Sequence, residues 1–137
     1  MKLTSGLTLI ELLIVIAIIG VLATVVLRSV NDARGGSADA RVQSELDSIS
    51  KQSLISFTSK NDFDAVCGSN GATQDLVIAR LLASVGVISG EEPICNSAAQ
   101  EFAVSAPLEN GQFWCVDGDG VKKQIPNSLT AGETACP

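Results

Sequence analysis

The chain has 137 residues, room for one compact domain, and 46% of them are apolar, enough for a core. Acids outnumber bases 15 to 9, and this balance argues against a nucleic-acid binder, because phosphate contacts need clustered Lys and Arg. There is no His and no Tyr, which excludes imidazole-dependent catalysis and His-ligated metal sites.

Residues 1–6 are short and carry one positive charge, Lys2. Residues 7–27 form an apolar run of 21 residues ended by Arg28. As a helix it rises roughly 30 Å at ~1.5 Å per residue, about one hydrocarbon core. Only Thr8, Glu11 and Thr24 are clearly polar, so the run is a membrane helix or a fully buried one. A secretory signal cut near Ala23 fits poorly, since its apolar region is usually ~7–15 residues and free of acids. A plain membrane anchor explains the length and leaves Glu11 without a reason. An ionisable group inside a hydrocarbon span costs ~2–3 kcal/mol at mid-membrane, less toward an end, and marks function. A cut between Gly6 and Leu7 supplies the missing partner: a new α-amine four residues before Glu11. Between neighbouring chains, Glu11 of one holds the amine of the next and sets a one-step axial offset. Breaking a desolvated pair of this kind leaves an unpaired charge and is strongly unfavourable.

Gly6-Leu7-Thr8-Leu9-Ile10-Glu11, followed by the apolar stretch to Ala23, closely resembles the class III signal of type IV pilins and type II secretion pseudopilins. The resemblance implies cleavage after Gly6 by a prepilin peptidase, N-methylation of Leu7 and an assembly role for Glu11. It implies an α+β pilin fold, in which a long N-terminal helix has a membrane or filament-core half and an amphipathic half packed on a small antiparallel sheet. Residues 1–6 are then a removed leader, 7–30 the hydrophobic helix and 31–137 the exported domain. The expected function is a structural filament subunit, not an enzyme, with surface roles such as adhesion, motility or DNA uptake. The alternatives are a secretion pseudopilin, a minor or competence pilin, or a plain membrane-anchored binding domain. The implied partners are copies of the chain in a helical filament, the peptidase, an assembly platform protein and a cytoplasmic ATPase. The implied route runs from the cytoplasmic (inner) membrane to an extracellular or cell-envelope filament. Two departures stand out: Leu7 replaces the usual Phe, and Arg28 stands where many pilins carry Pro. Gly20 is the only intrinsically weak point of the span, at ~1 kcal/mol against Ala.

Past Arg28 the composition turns polar, and Gly35-Gly36 reads as a helix breaker, either a short linker or a bend within one long helix. Val42, Leu46, Ile49, Ser53 and Phe57 then mark one face of an amphipathic helix lying against a sheet. Asp47 and Lys51 are spaced as a favourable i,i+4 pair on its other side. Lys60-Asn61-Asp62 ends it. Residues 63–71 read as a loop with a turn at Ser69-Asn70-Gly71. Thr73 is the expected cap of a short helix over 74–84, with Leu76, Ala79, Leu82 and Ala83 on one side. Gly86 and Gly90 mark a further loop through Pro93. Phe102, Val104, Ala106 and Leu108 alternate with smaller residues as a strand. Asn110-Gly111 signals a two-residue hairpin returning over 112–116. Asp117-Gly118-Asp119-Gly120 turns again into a third strand with Val121, Lys123 and Ile125, and an irregular tail covers 127–137.

The four cysteines, Cys67, Cys95, Cys115 and Cys136, contain no C-x-x-C pair, which makes a zinc ribbon or thioredoxin-like site improbable. Disulfides suit a small exported domain, and three connectivities are open. The preferred one joins Cys67 to Cys95, stapling the region between helix and sheet, and Cys115 to Cys136, tying the tail to a strand. The second bond resembles the C-terminal disulfide loop of many type IV pilins. Each is worth about 3 kcal/mol by loop entropy. Asp117 and Asp119 are a candidate Ca²⁺ pair, and the resemblance to calcium-binding pseudopilins keeps the idea alive. The spacing begins like an EF-hand loop, but Ser128 stands where its twelfth-position Glu belongs, and a plain hairpin turn is the favoured reading. No other cofactor is implied. Trp114 is expected in the core. Lys122 and Lys123 form a small basic spot, and no sequence-specific nucleic-acid partner is expected. No nucleophile motif, phosphate loop or partnered carboxylate pair is present.

Overall fold

A computed structural model describes residues 8–137. In chain order it contains α1 (Leu9–Lys60), α2 (Asp64–Cys67), α3 (Leu76–Ser89), β1 (Ile94–Ala98), β2 (Glu101–Pro107), β3 (Phe113–Asp117) and β4 (Lys122–Ile125). Two compact units meet along the chain at Gly35 and Gly36. The helix does not stop there: α1 is continuous across both glycines. Each Gly costs about 1 kcal/mol relative to Ala, whereas a break forfeits the cooperative hydrogen bonding already established on either side.

In the first unit, the large apolar side chains of α1 from Leu9 to Val30 are all exposed. The second unit, residues 36–137, is built around a conventional core. Val42, Leu46, Ile49 and Ser53 of α1 are buried, with Phe57 packed partly against them, so the spacing of four and three residues marks the inward face. The Ser53 hydroxyl is satisfied by donating to the Ile49 carbonyl at 2.7 Å. Asp47 does not serve Lys51. Its carboxylate pairs with Lys122 Nζ of β4 at 3.0 Å, because the packed sheet brings a cation closer than the next helical turn does. The helix ends at Lys60, and Asn61 takes the left-handed conformation (φ 58°) that suits a short amide side chain.

The segment expected as a plain loop over 63–71 contains the single turn α2, whose Ala65 and Val66 are buried. Apolar burial holds a helical turn that local propensity did not announce. The turn at Ser69-Asn70-Gly71 is present, closed by the Ala72 amide donating to the Ser69 carbonyl at 2.9 Å. Helix α3 starts later and runs further than expected. Its cap is Asp75, not Thr73: Asp75 Oδ1 accepts from the amides of Val77 (2.8 Å) and Ile78 (3.2 Å). Gly86 lies within the helix, and Gly90 terminates it in the left-handed conformation. The inward face is Ile78 and Val85 flanked by Leu81, Leu82 and Ile88, while Leu76 is 72% exposed. The expected face of Leu76, Ala79, Leu82 and Ala83 is about a third of a turn off, because α3 is apolar on most sides and packing against the core selects the side of Ile78 and Val85.

The four strands form one antiparallel meander in the order β1-β2-β3-β4. Strand β1 was not expected. Ile94–Ala98 shows no apolar alternation, and pairing with β2 (Cys95 opposite Val104) supplies what its sequence lacks. The β2–β3 connection spans five residues, 108–112, instead of a two-residue turn at Asn110-Gly111, since Pro107 pairs with Phe113. Leu108 is buried, and its amide donates to the Gln112 carbonyl at 2.8 Å, so this side chain dives into the core and lengthens the loop.

Strand alternation gives the sheet two faces. Phe102, Val104, Ala106 and Val116 join the core with Leu46, Ile49 and Ile78. Ala103 and Cys115 point the other way and cluster with Ile125 and Leu129. Every residue of β2 from Phe102 to Ala106 is therefore buried. The irregular tail covers this second face. Asn96 donates to the carbonyls of Thr130 (2.8 Å) and Glu133 (3.0 Å), and the Leu129 amide donates to Ser105 Oγ at 3.2 Å.

Candidate functional site

The candidate site is the N-terminal end of α1. Gly6 and Leu7 lie outside the described residues. Thr8 immediately precedes the helix, and its backbone amide and its hydroxyl both donate to Glu11 Oε2, each at 2.8 Å. The Glu11 amide returns a bond to Thr8 Oγ1 at 3.3 Å. This is a capping box, in which a hydroxyl residue and an acid three positions later satisfy each other's backbone donors. It places a carboxylate at the positive end of the helix dipole. Thr8 was not among the expected site residues, although the Thr-x-x-Glu pattern is legible in the sequence. One oxygen of Glu11 carries both donors from Thr8. The other, Oε1, accepts no bond among the described residues and is available to a cation at the same end.

Behind this polar cap runs an apolar sleeve. Leu9, Ile10, Val15, Ile19, Val21 and Leu27 range from 48% to 79% exposed. The one hydroxyl past the first turn, Thr24, donates to the Val21 carbonyl at 2.7 Å and so presents no unsatisfied donor. Ile14, Ala17, Ile18, Val21 and Leu22 border a shallow, almost wholly apolar groove of about 350 Å³. A Cβ at Gly20 would meet nothing within 4 Å, so its glycine is not required by packing inside one chain. The helix is long and apolar enough to cross a membrane. Such a surface is stable only against lipid or other apolar helices.

In the second unit, Cys67 is bonded to Cys95, and Cys115 to Cys136. The first bond ties α2 to the edge strand β1, and the second fastens the tail to β3. Asp117 is 3% exposed and heavily used. Its Oδ1 accepts from the amides of Asp119 (3.1 Å) and Val121 (2.9 Å), and its Oδ2 from the amide of Cys136 (3.0 Å). It therefore holds the β3–β4 turn and the tail together. Asp119 is exposed, and among the described residues no three His, Cys, Asp or Glu side chains gather as metal ligands. Trp114 is half-buried against the core, with its Nε1 enclosed and unpartnered among the described residues. Lys122 and Lys123 do not form one basic spot. They alternate along β4, and Lys122 is engaged by Asp47.

Asp75 is the titratable group most clearly set by its surroundings. Burial alone raises its pKa, but the amides of Ile78 and Val77, the Ser56 hydroxyl and the Gln52 amide outweigh burial and hold the carboxyl below its ordinary value.

Residues 1–27 match the family described as the prokaryotic N-terminal methylation motif. This is the class III signal characteristic of type IV pilins and pseudopilins, and the α+β fold, a long N-terminal helix with a small four-stranded antiparallel sheet, is consistent with the pilin fold. No curated protein and no solved structure matches the chain.

Proposed function

We propose that the chain is the structural subunit of a type IV pilus or a closely related filament. The observation that carries this reading is the capped apolar sleeve of α1, exposed along its whole length in the single chain and matching the methylation motif. The peptidase cuts between Gly6 and Leu7 and methylates the new amine. Residues 7–30 hold the subunit in the cytoplasmic membrane and then transfer into a filament core. Contact with neighbouring helices replaces contact with lipid, so the transfer has little net hydrophobic cost. A cytoplasmic ATPase acting through a platform protein supplies the work of extraction. Glu11 receives the Leu7 amine of the next subunit on Oε1 while Thr8 fixes Oε2. The exported domain, residues 31–137, covers the outside and is stiffened by its two disulfides.

Glu11→Ala tests this directly. The variant is expected to reach the membrane, lose its leader and fail to appear in filaments sheared from cells. Normal filament yield would refute the pairing. Intact mass and N-terminal sequencing of unreduced protein test the processing: a chain starting at Leu7 with a methyl group and two disulfides is expected, and a start at Met1 or Thr24 would refute it.

A further inference from the structure

A cleft of about 360 Å³ opens in the second unit between the residues of α1 that follow Gly36, the end of α3 and the β2–β3 loop. Its floor is apolar, formed by Val42, Ile88, Leu108 and Phe113, and its rim carries three carboxylates, Asp39, Glu91 and Glu109. Asp39 has an internal task, because its Oδ1 accepts the Glu109 amide at 2.9 Å and ties the loop to α1. Glu91 and Glu109 are exposed, and the ion pair found among the described residues, Lys122 with Asp47, involves neither. An apolar trough with an anionic rim fits one kind of side chain well. Arginine lays an apolar stem along the floor and presents a planar, permanently charged head to carboxylates.

The sequence places that side chain in the other unit. Residues 36–137 hold 13 acids against 6 bases, whereas residues 7–35 hold two of each, Glu11 and Asp32 with Arg28 and Arg34. The acid excess thus lies in residues 36–137, and a cation brought to the cleft by another copy meets a complementary field. The spacing selects one of the two arginines. The proposed assembly contact sets Leu7 of one copy against Glu11 of the next, four residues apart. Arg34 precedes Ala38 and Asp39, the first cleft residues on α1, by four and five. The same step that seats the amine brings Arg34 to the cleft, whereas Arg28 falls short by six residues.

We infer that the acidic cleft receives Arg34 of a second copy of the chain, giving the filament a second electrostatic register point beyond Glu11. This rests on the filament reading and deepens it. Two chains, one carrying Arg34→Cys and the other Glu109→Cys, are produced together in the native host, and sheared filaments are treated with a short bismaleimide cross-linker, which spans the reach of an arginine side chain that a disulfide would not. A cross-linked dimer formed only when both variants are present is the expected result. Filaments without that dimer, or a dimer from Arg34→Cys chains alone, overturn the inference. Charge reversal keeps the question open to test if the cysteine chains do not assemble. Arg34→Glu and Glu109→Arg are each expected to lose filaments, and the chain carrying both to regain them. No recovery in the double variant overturns the inference. Absence of filaments from the unmodified chain, or full assembly by Glu11→Ala, would instead remove the filament reading itself.

Discussion

Asp117→Ala is the substitution that probes most of the second unit at once. The buried carboxylate accepts three backbone amides that belong to the β3–β4 turn and the tail. Bonds to an ionised acceptor contribute about 1.5–3 kcal/mol each, and a buried donor left empty costs a similar amount. The full sum is not expected, because Asp119 is exposed and its amide regains water. A loss of about 3–5 kcal/mol is the working figure. Asp117→Asn keeps an oxygen for the Asp119 and Val121 amides but sets an NH₂ against the Cys136 amide, so it falls between the two. The assay is urea unfolding followed by the fluorescence of Trp114, the only Trp, which lies three residues away on the same strand. With a slope of about 1–3 kcal/mol per molar urea, Asp117→Ala lowers the midpoint by about 1–5 M. A midpoint within about 0.3 M of the unmodified chain would refute the assignment of Asp117 as the clasp of turn and tail.

Two further outcomes follow from the same domain. Asp75→Ala removes the α3 cap together with the bonds to Ser56 and Gln52, and should cost about 1–2 kcal/mol in thermal unfolding at neutral pH. The folded pKa of Asp75 is depressed, so its contribution is complete above the unfolded value of about 3.9 and disappears as pH falls through the lower folded value. Asp75→Asn should therefore lose stability at neutral pH and show a flatter acid limb than the unmodified chain; equal acid limbs would contradict the sign. Cys136→Ser releases the tail from β3 and should cost about 2–5 kcal/mol. Limited proteolysis should then cut within residues 126–137 before the rest of the domain, and uniform resistance would show that the hydrogen bonds of Asn96 and Asp117 suffice without the disulfide.

The parts legible in the sequence are those in which one local pattern has one physical solution. A run of 21 apolar residues with a single acid has no stable home in water, and the 3.6-residue spacing from Val42 to Phe57 commits a helix to one buried face. The alternation over residues 102–108 and the acidic glycine turn that follows announce strands where strands are found. The role of Thr8 is equally local. It depends only on the three-residue spacing to Glu11, so the pattern of residues alone is enough to specify the capping box.

Other elements took shape only in the fold. Strand β1 exists because β2 offers an edge, α2 because Ala65 and Val66 have a core to enter, and the α3 cap because Asp75 also reaches Ser56 and Gln52 across the packed helices. Asp47 chose Lys122 over its helical neighbour Lys51 for the same reason. The sequence by itself determined which segment must leave water and which helix face turns inward, since these follow from local polarity and periodicity. Only the tertiary structure decided that both faces of the sheet are covered, that Asp117 serves three amides as the clasp of turn and tail, and that an anionic cleft with an apolar floor opens beside the start of the packed helix. Those features depend on groups far apart in the chain, and burial by distant residues overrides local preference wherever the two conflict.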